Sequence, residues 1–306
     1  MPVRRESPLT LLVIAVLAII ALTSCSSAPA ESKDLSGHAL IVGSTALQPL
    51  ATQAAALFTK AHPKVQMEVR GGGSVVGLTA VNNHQADIGD SDIYANPALY
   101  PDPNLTDHLV CVIPFTMITH PGITVTSLKR DEIIKIFSTG EITNWKQVGG
   151  PNLPIVPVVR PATSGTRDTF RKYILEGRDE SGKLLTTDSS DTVRNAVANT
   201  PGAIGYLAMP YVNNAVHTVA IDGATPTQAN IESGKYLFWG FEHMYTLGDD
   251  SPVIDEFLNR FMLSQQAQDL ALELGYIPIA NVKLASANTD AAAPASVARS
   301  DGRRRQ

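Results

Sequence analysis

The chain has 306 residues, of which 44% are hydrophobic and 17% are charged, as expected for a globular protein with one large domain or two average ones. Without residues 1–24 and 286–306, 18 Lys and Arg residues remain against 26 Asp and Glu residues, a net charge of −8. A body this acidic argues against nucleic acid as the partner, because phosphate backbones are bound by clustered basic residues. Any anion that it binds must therefore be held by local groups.

Residues 1–24 are typical of an export signal. A short basic region precedes an uninterrupted apolar run from Leu11 to Leu22, which is shorter than the ~20 residues that cross a bilayer. The following stretch "LTSC" resembles the lipobox of bacterial lipoproteins, which implies cleavage before Cys25 and attachment of acyl chains to it. The alternative is an ordinary signal peptide with an incidental cysteine. We therefore expect an exported protein that is anchored to a membrane through Cys25.

Two further segments have the composition of unstructured chain. Residues 25–36 are small and polar, which predicts a tether between the membrane and the body. Residues 286–306 are rich in Ala and Ser and lack apolar periodicity, which predicts a disordered tail. Cys111, the second of the two cysteines, lies in an apolar run and is predicted to be a small buried residue. With Cys25 lipidated, no disulfide could form.

Strand and helix patterns alternate from residue 38 to residue 89. The run "HALIVG" predicts a strand, and apolar spacings of three and four in "ALQPLATQAAALFTKAH" predict a helix after it. Strict alternation in "VQMEVR" predicts a second strand, which is followed by a helical stretch, "VVGLTAVNNHQ", and a third short strand, "ADIG". This β-α-β-α-β order indicates an α/β fold with a mainly parallel sheet.

The remaining segments follow a similar order. "SLKRDEIIKIF" predicts a helix with Ser127 as its N-cap, "PIVPVVR" a strand, "TRDTFRKYIL" a helix, and "PGAIGYL" a turn that leads into a strand. Near the end, Ser251 and Pro252 have the residue types of an N-cap and a first helical position, and Gly275 is suited to follow a helix end. These last helices are expected to be structural.

Three predicted helices follow a strand and a turn of glycine and hydroxyl residues, namely "IVGST", "RGGGS" and "RPATSGT". The first N–H groups of a helix lack partners and its dipole is positive there, so an anion can be bound. A single such turn is ordinary capping. Turns at the carboxyl ends of strands in one α/β sheet can converge on a crevice, so we expect these three to form one anion site.

Two charged residues indicate which kind of anion this expected site would bind. Arg160 ends the strand "PIVPVVR", where its guanidinium could donate two hydrogen bonds to a tetrahedral oxyanion; a surface ion pair is the alternative. Asp92 follows a strand, where an aspartate often caps a turn. A carboxylate beside an anion becomes favourable when the anion carries a proton to donate. Phosphate does so at neutral pH and sulfate does not, so Asp92 would accept from phosphate and repel sulfate.

Six blocks of the sequence match a known family. In chain order they are "GSTALQPL", "GGGSVVGL", "DIGDSDI", "VVRPATSGTRDTF", "TPGAIGYL" and "FWGFEHMYTLGD" with "LGYIPI". Together they resemble the periplasmic phosphate-binding protein (PstS) family of phosphate ABC transporters over about residues 38–280. The resemblance implies a two-lobed α/β periplasmic-binding-protein fold of type II, with the ligand in the interlobe cleft. The first lobe would comprise residues 37–111 and 220–285, and the second lobe residues 112–219.

The resemblance also implies roles for matching positions. Asp92 is the expected acceptor of the phosphate proton, Arg160 the cationic clamp, and Arg167 a further candidate. Two features depart from the family pattern. Residues 75–76 are valines where small residues are more usual, and Ala162 stands where some members place an acidic partner of the arginine. The expected phosphate ligands are Ser44, Thr45, Ala46, Ser74, Asp92, Arg160, Ser164, Gly165 and Thr166.

The resemblance finally implies a monomeric lipoprotein that takes inorganic phosphate outside the cytoplasmic membrane and delivers it to the permease subunits of an ABC importer. No cofactor, metal or catalysis is expected. Three alternatives stay open: a phosphate-ester hydrolase, a binder of another oxyanion such as sulfate, molybdate or tungstate, and a surface sensor or adhesin. Against the hydrolase, the sequence has no G-x-S-x-G elbow, and its histidines lack metal-binding spacing. The histidines are His38, His62, His84, His108, His120, His217 and His243.

Overall fold

The structure is a computed structural model that describes residues 35–182, 185–187, 189–248 and 251–283. The expected export signal, the lipidation site Cys25 and the expected tail lie outside the described residues, as does the expected tether up to residue 34. The first strand begins at Ser36, the last residue assigned to the tether. Among the described residues, no helix has both the length and the apolar character needed to cross a membrane.

Strands and helices alternate along most of the described chain. The strands are β1 Ser36–Gly43, β2 Lys64–Arg70, β3 Ile88–Ser91, β4 Leu105–Thr119, β5 Ser127–Leu128, β6 Val156–Val159, β7 Leu185–Thr186, β8 Ala203–Ala208, β9 His217–Ile221, β10 Trp239–Leu247 and β11 Ile277–Pro278. The α-helices are α1 Gln48–Ala61, α2 Ser74–Asn82, α3 Arg130–Ile134, α4 Gly165–Tyr173, α5 Ser190–Asn199, α6 Gln228–Glu232, α7 Pro252–Glu256 and α8 Gln265–Glu273. Short 3-10 or π-helical segments lie at Lys135–Thr139, Trp145–Val148, Met209–Tyr211, Phe257–Phe261 and Ile279–Asn281.

Two groups of strands share the long strand β4. In the first lobe, β1 pairs in parallel with β2 and β3, and β10 joins β3 to the first part of β4 in antiparallel pairings. In the second lobe, β4 from Phe115 onward pairs with β8 and β9, and β6 adds in parallel to β8. The chain thus passes between the lobes along β4 and again between β9 and β10. This two-lobed α/β architecture is the predicted one, and the expected residue boundaries of the lobes stay predictions.

The first lobe forms as its sequence pattern predicts. The apolar positions Leu50, Ala54 and Phe58 of α1 are fully buried, because their spacing of three to four residues places them on one helix face. Val65 of β2 is buried between exposed neighbours, as strand alternation requires. Cys111 is a free, fully buried cysteine within β4, as predicted.

The structure contradicts one of the predicted helix ends and confirms two others. Ser127 is not an N-cap, because it belongs to β5, which pairs with the distant strand β9; the helix begins only at Arg130. At the other end of the chain the predictions are confirmed. The Ser251 hydroxyl accepts a hydrogen bond from the Ile254 N–H at 3.4 Å, and Gly275 follows α8 with a φ of 88°.

A cluster of aromatic rings fills the second lobe beside the site. The Tyr206 ring stacks on Phe170 with centroids 4.1 Å apart, and Phe137 meets Phe170 edge to face at 5.1 Å. Phe238, just before β10, packs against Phe170 at 5.4 Å. These contacts fix the position of Tyr206, whose hydroxyl reaches the polar site described below.

Candidate functional site

Three helix-start turns meet where the two lobes face each other. The Gly73 N–H donates to the Gly43 carbonyl at 2.8 Å, which joins the turn before α1 to the turn before α2. The Val75 N–H donates to the Thr163 carbonyl at 3.1 Å, which joins the turn before α2 to the turn before α4 in the other lobe. The structure thus brings together the three turns that the sequence singled out.

Glycines allow this close approach of the lobes. A Cβ at Gly165 would overlap the Ser74 hydroxyl and lie 3.0 Å from the Asp92 Cβ. At Gly73, where φ is 97°, a Cβ would lie 2.6 Å from the Thr163 carbonyl oxygen. A larger residue at either position would hold the two sides of the site apart.

Asp92 is held from both lobes at once. It is buried at 5% exposure, and its backbone N–H donates to the Ser74 hydroxyl at 2.9 Å. One carboxylate oxygen accepts a hydrogen bond from the Ser44 hydroxyl of the first lobe. The other accepts from Thr166 Oγ1 of the second lobe at 2.8 Å. Because each hydroxyl donates to a carboxylate oxygen, these hydrogen bonds fix the direction of the Asp92 side chain.

The turn before α1 is fixed by its own hydroxyl and by two tyrosines. Ser44 Oγ accepts from the Ala46 N–H at 3.0 Å, which closes the turn locally. The Tyr211 hydroxyl donates to the Thr45 carbonyl at 2.6 Å, and the Tyr276 hydroxyl donates to the Ala46 carbonyl at 2.6 Å. The expected donors of this turn are therefore held in one orientation.

Arg160 lies opposite Asp92, at the end of β6. Its side chain is 1% exposed, and Nη2 donates to Thr45 Oγ1 at 3.0 Å across the interface of the lobes. Nη1 donates to the Ser190 hydroxyl, at the start of α5, at 3.3 Å. These two bonds orient the guanidinium toward the interface of the lobes. The alternative of a surface ion pair is excluded, because Arg160 is buried.

A buried acid lies behind Arg160. Glu180 accepts from the Tyr206 hydroxyl at 2.6 Å and pairs with Arg167 Nε at 2.5 Å, and the Arg160 N–H donates to the Tyr206 oxygen at 3.4 Å. Burial, and then the charge of Glu180, raise the pKa of Tyr206 well above its usual value, so Tyr206 keeps its proton. The guanidinium of Arg167, the further candidate ligand, is thus engaged by Glu180.

The second lobe also contributes a capped helix start. Ser164 is the N-cap of α4, and its hydroxyl accepts from the Arg167 N–H at 3.2 Å. Gly165 and Thr166 form the first turn, whose N–H groups carry the positive end of the helix dipole. All nine predicted ligand positions are buried: Ser44, Thr45, Ala46, Ser74, Asp92, Arg160, Ser164, Gly165 and Thr166.

Sequence reasoning missed several residues that shape the site. Ser190, Glu180, Tyr206 and Tyr211 lie in segments of ordinary composition, and each reaches the site through a contact distant in sequence. The "SSDT" stretch around Ser190 has the residue types of a helix start, which is the only signal that could have found it. Within the described residues, no group of three His, Cys, Asp or Glu side chains is arranged to hold a metal ion.

A two-lobed α/β fold with a buried arginine and a buried carboxylate where the lobes meet is the architecture of a solute-binding protein. Comparisons with known proteins agree, since residues 28–266 match the PBP superfamily domain. The phosphate-binding protein PstS of Bacillus subtilis (strain 168) is 39% identical over 264 residues, covering 86% of this chain and 87% of that protein.

Two solved structures are also similar. One, a Clostridium perfringens protein assigned to phosphate ABC transport and solved with bound phosphate, is 27% identical, with a TM-score of 0.75 over 79% of this chain and 100% of that one. The other, an ABC-type phosphate transport receptor from Vibrio cholerae, is 27% identical, with a TM-score of 0.64 over 78% of this chain and 99% of that one. The chain belongs to the PBP superfamily and, within it, to the family of phosphate-binding proteins that includes PstS of Bacillus subtilis.

Proposed function

We propose that this protein binds inorganic phosphate between its lobes, outside the cytoplasmic membrane, and delivers it to the permease subunits of an ABC importer. The observation that carries the proposal is the pairing of Arg160 and Asp92, two buried groups of opposite charge that face one site from different lobes. Buried charged groups that face one site from two lobes are typical of functional sites.

Each group would recognise a different property of phosphate. Arg160 supplies the positive charge and a planar pair of donors for the anion's oxygens. The N–H groups at the start of α4, with the hydroxyls of Thr45 and Ser74, are further donors to the remaining oxygens. Asp92 can only accept, so it favours an anion that still carries a proton and disfavours sulfate.

The fold supports capture by closure of the lobes. The chain passes between the lobes along β4 and between β9 and β10, and such connections act as hinges in two-lobed binding proteins. Thr166 reaches Asp92, and Arg160 reaches Thr45, only when the lobes are together. Closure would therefore complete the site around the phosphate and exclude water from it.

The export pattern of residues 1–24 supports a location outside the cytoplasmic membrane, and the "LTSC" stretch supports a lipid anchor on Cys25. An anchored receptor stays close to the permease that accepts its ligand. We expect a monomer, since a single chain supplies every proposed ligand.

Isothermal titration calorimetry of the purified protein with phosphate tests the proposal. We expect binding with a micromolar or lower dissociation constant and a stoichiometry of one. The same preparation should release no phosphate from a simple phosphate ester, with or without added divalent metals. Absence of phosphate binding would refute the proposal, and metal-dependent turnover of the ester would replace it with the hydrolase alternative.

A further inference from the structure

A second acidic residue, Glu242, lies beside Asp92. Strand β10 runs antiparallel to β3 with Met244 opposite Asp90, so the register brings Glu242, two residues earlier on β10, to the position beside Asp92. Side chains two residues apart on a strand share a face, and Glu242 is therefore on the face that carries Asp92. Its side chain is fully buried.

The surroundings of Glu242 favour its protonated form. Neither of its carboxyl oxygens accepts a hydrogen bond from a donor among the described residues, and the register places it beside Asp92. Two carboxyl groups can share a hydrogen bond only when one of them is protonated. Both carboxyl oxygens of Asp92 already accept from hydroxyls, those of Ser44 and Thr166, whereas no donor among the described residues reaches Glu242. The proton of the pair therefore belongs to Glu242.

The groups around Glu242 also favour its protonated form. Burial raises its pKa well above the usual value, and the charges of Asp92 and Asp90 on β3 raise it further. Two further titratable groups near Glu242, Cys111 on β4 and Tyr276 before β11, stay neutral, because burial raises the pKa of both. Burial and the charge of Asp92 likewise raise the pKa of Asp90 well above its usual value.

We propose that Glu242 is a positioning residue for anion selection: a neutral carboxylic acid that donates a hydrogen bond to Asp92 and leaves Asp92 as the ionised carboxylate that meets the ligand. The inference rests on the proposed phosphate function. A second negative charge in this buried place would repel every anion, and a side chain without a donor would remove one of the hydrogen bonds that hold Asp92.

The protonation of Glu242 is tested without phosphate, by urea unfolding of the wild type and Glu242→Gln from acidic to neutral pH. Gln keeps a donor and cannot titrate. The native Glu242 holds a proton that the unfolded chain releases above a pH of about 4.3. The folding constant of the wild type should therefore fall relative to the variant by about tenfold per pH unit above that value. Glu68→Gln is the control, because Glu68 is exposed and Arg70 lowers its pKa; it should show no such fall. A difference between the wild type and Glu242→Gln that is constant with pH overturns the proposal.

The positioning role is tested by titrating phosphate and sulfate into the wild type, Glu242→Gln and Glu242→Leu at neutral pH. Glu242→Gln should bind phosphate within about twofold of the wild type and keep its preference over sulfate, because the donor is retained. Glu242→Leu should bind phosphate about tenfold more weakly, with a smaller preference. Equal behaviour of Glu242→Leu and the wild type overturns the proposal, as does a Gln variant as weak as the Leu variant. A wild type that does not bind phosphate refutes the proposed function, whereas the unfolding experiment still decides the protonation of Glu242.

Discussion

The two sides of the site are built from opposite chemistry. The first-lobe side combines hydroxyls with the buried carboxyl groups of Asp92, Asp90 and Glu242. The second-lobe side combines Arg160 with the positive end of α4. Attraction of an anion and discrimination among anions are thus assigned to different lobes. An anion that contacts only one lobe is either attracted or discriminated, but not both. Strong and selective binding therefore requires that the lobes close.

The largest expected effect follows from removing the positive charge that attracts the anion. Arg160→Ala should weaken phosphate binding by about 2–5 kcal/mol, because the anion loses a desolvated, charged hydrogen-bond partner. This corresponds to a loss of roughly 30-fold to several thousand-fold in affinity by calorimetry. Arg178→Ala is the matched control, since Arg178 is 48% exposed and pairs with Glu176 on the surface. An affinity of Arg160→Ala equal to that of the control would remove Arg160 from the site.

A smaller effect is expected from changing Glu180, which supports the second-lobe side of the site. Glu180 is fully buried between Arg167 and Tyr206, so Glu180→Gln leaves Arg167 without its charged partner. The free energy of unfolding should fall by about 2 kcal/mol, less than the ~3–5 kcal/mol of a fully buried pair because Arg167 is 23% exposed. Urea denaturation measures this change. The exposed Glu176→Gln is the control and should unfold at the same urea concentration as the wild type. Equal stabilities of the two variants would contradict this account of Glu180.

The smallest expected effects are those of two adjacent serines. One should affect phosphate binding and the other the stability of the fold. Ser190 accepts from Arg160, so Ser190→Ala should weaken phosphate binding by about 1 kcal/mol, roughly fivefold. Ser189 caps α5, so Ser189→Ala should instead lower the free energy of unfolding by about 1 kcal/mol and leave the affinity unchanged. Calorimetry and urea denaturation of both variants test the contrast, which fails if both serines affect the same quantity.

The first-lobe side could be predicted from sequence more fully than the second. Its turns follow strands whose apolar patterns are local, so the amino-acid sequence alone places Ser44, Ser74 and Asp92 at strand ends.

Arg160 and the turn before α4 follow a local pattern, but the residues that support them make contacts distant in sequence. With Ala162 after Arg160, the sequence offered no acidic residue nearby, and the structure places Glu180 behind the arginine through Tyr206. Ser127 was misassigned for the same reason, because its strand is defined by pairing with β9. The protonated state inferred for Glu242 likewise depends on register and burial, which a sequence pattern does not give.

The division between attraction and discrimination is tested most directly by the affinities of phosphate and sulfate for the wild type and Asp92→Asn, measured by calorimetry at neutral pH. We expect the wild type to bind phosphate at least about a hundredfold more tightly than sulfate, because Asp92 accepts the proton of one and repels the other. Asp92→Asn should narrow this ratio by weakening phosphate binding and strengthening sulfate binding. Equal affinity of the wild type for the two anions, or an unchanged ratio in Asp92→Asn, would contradict the account.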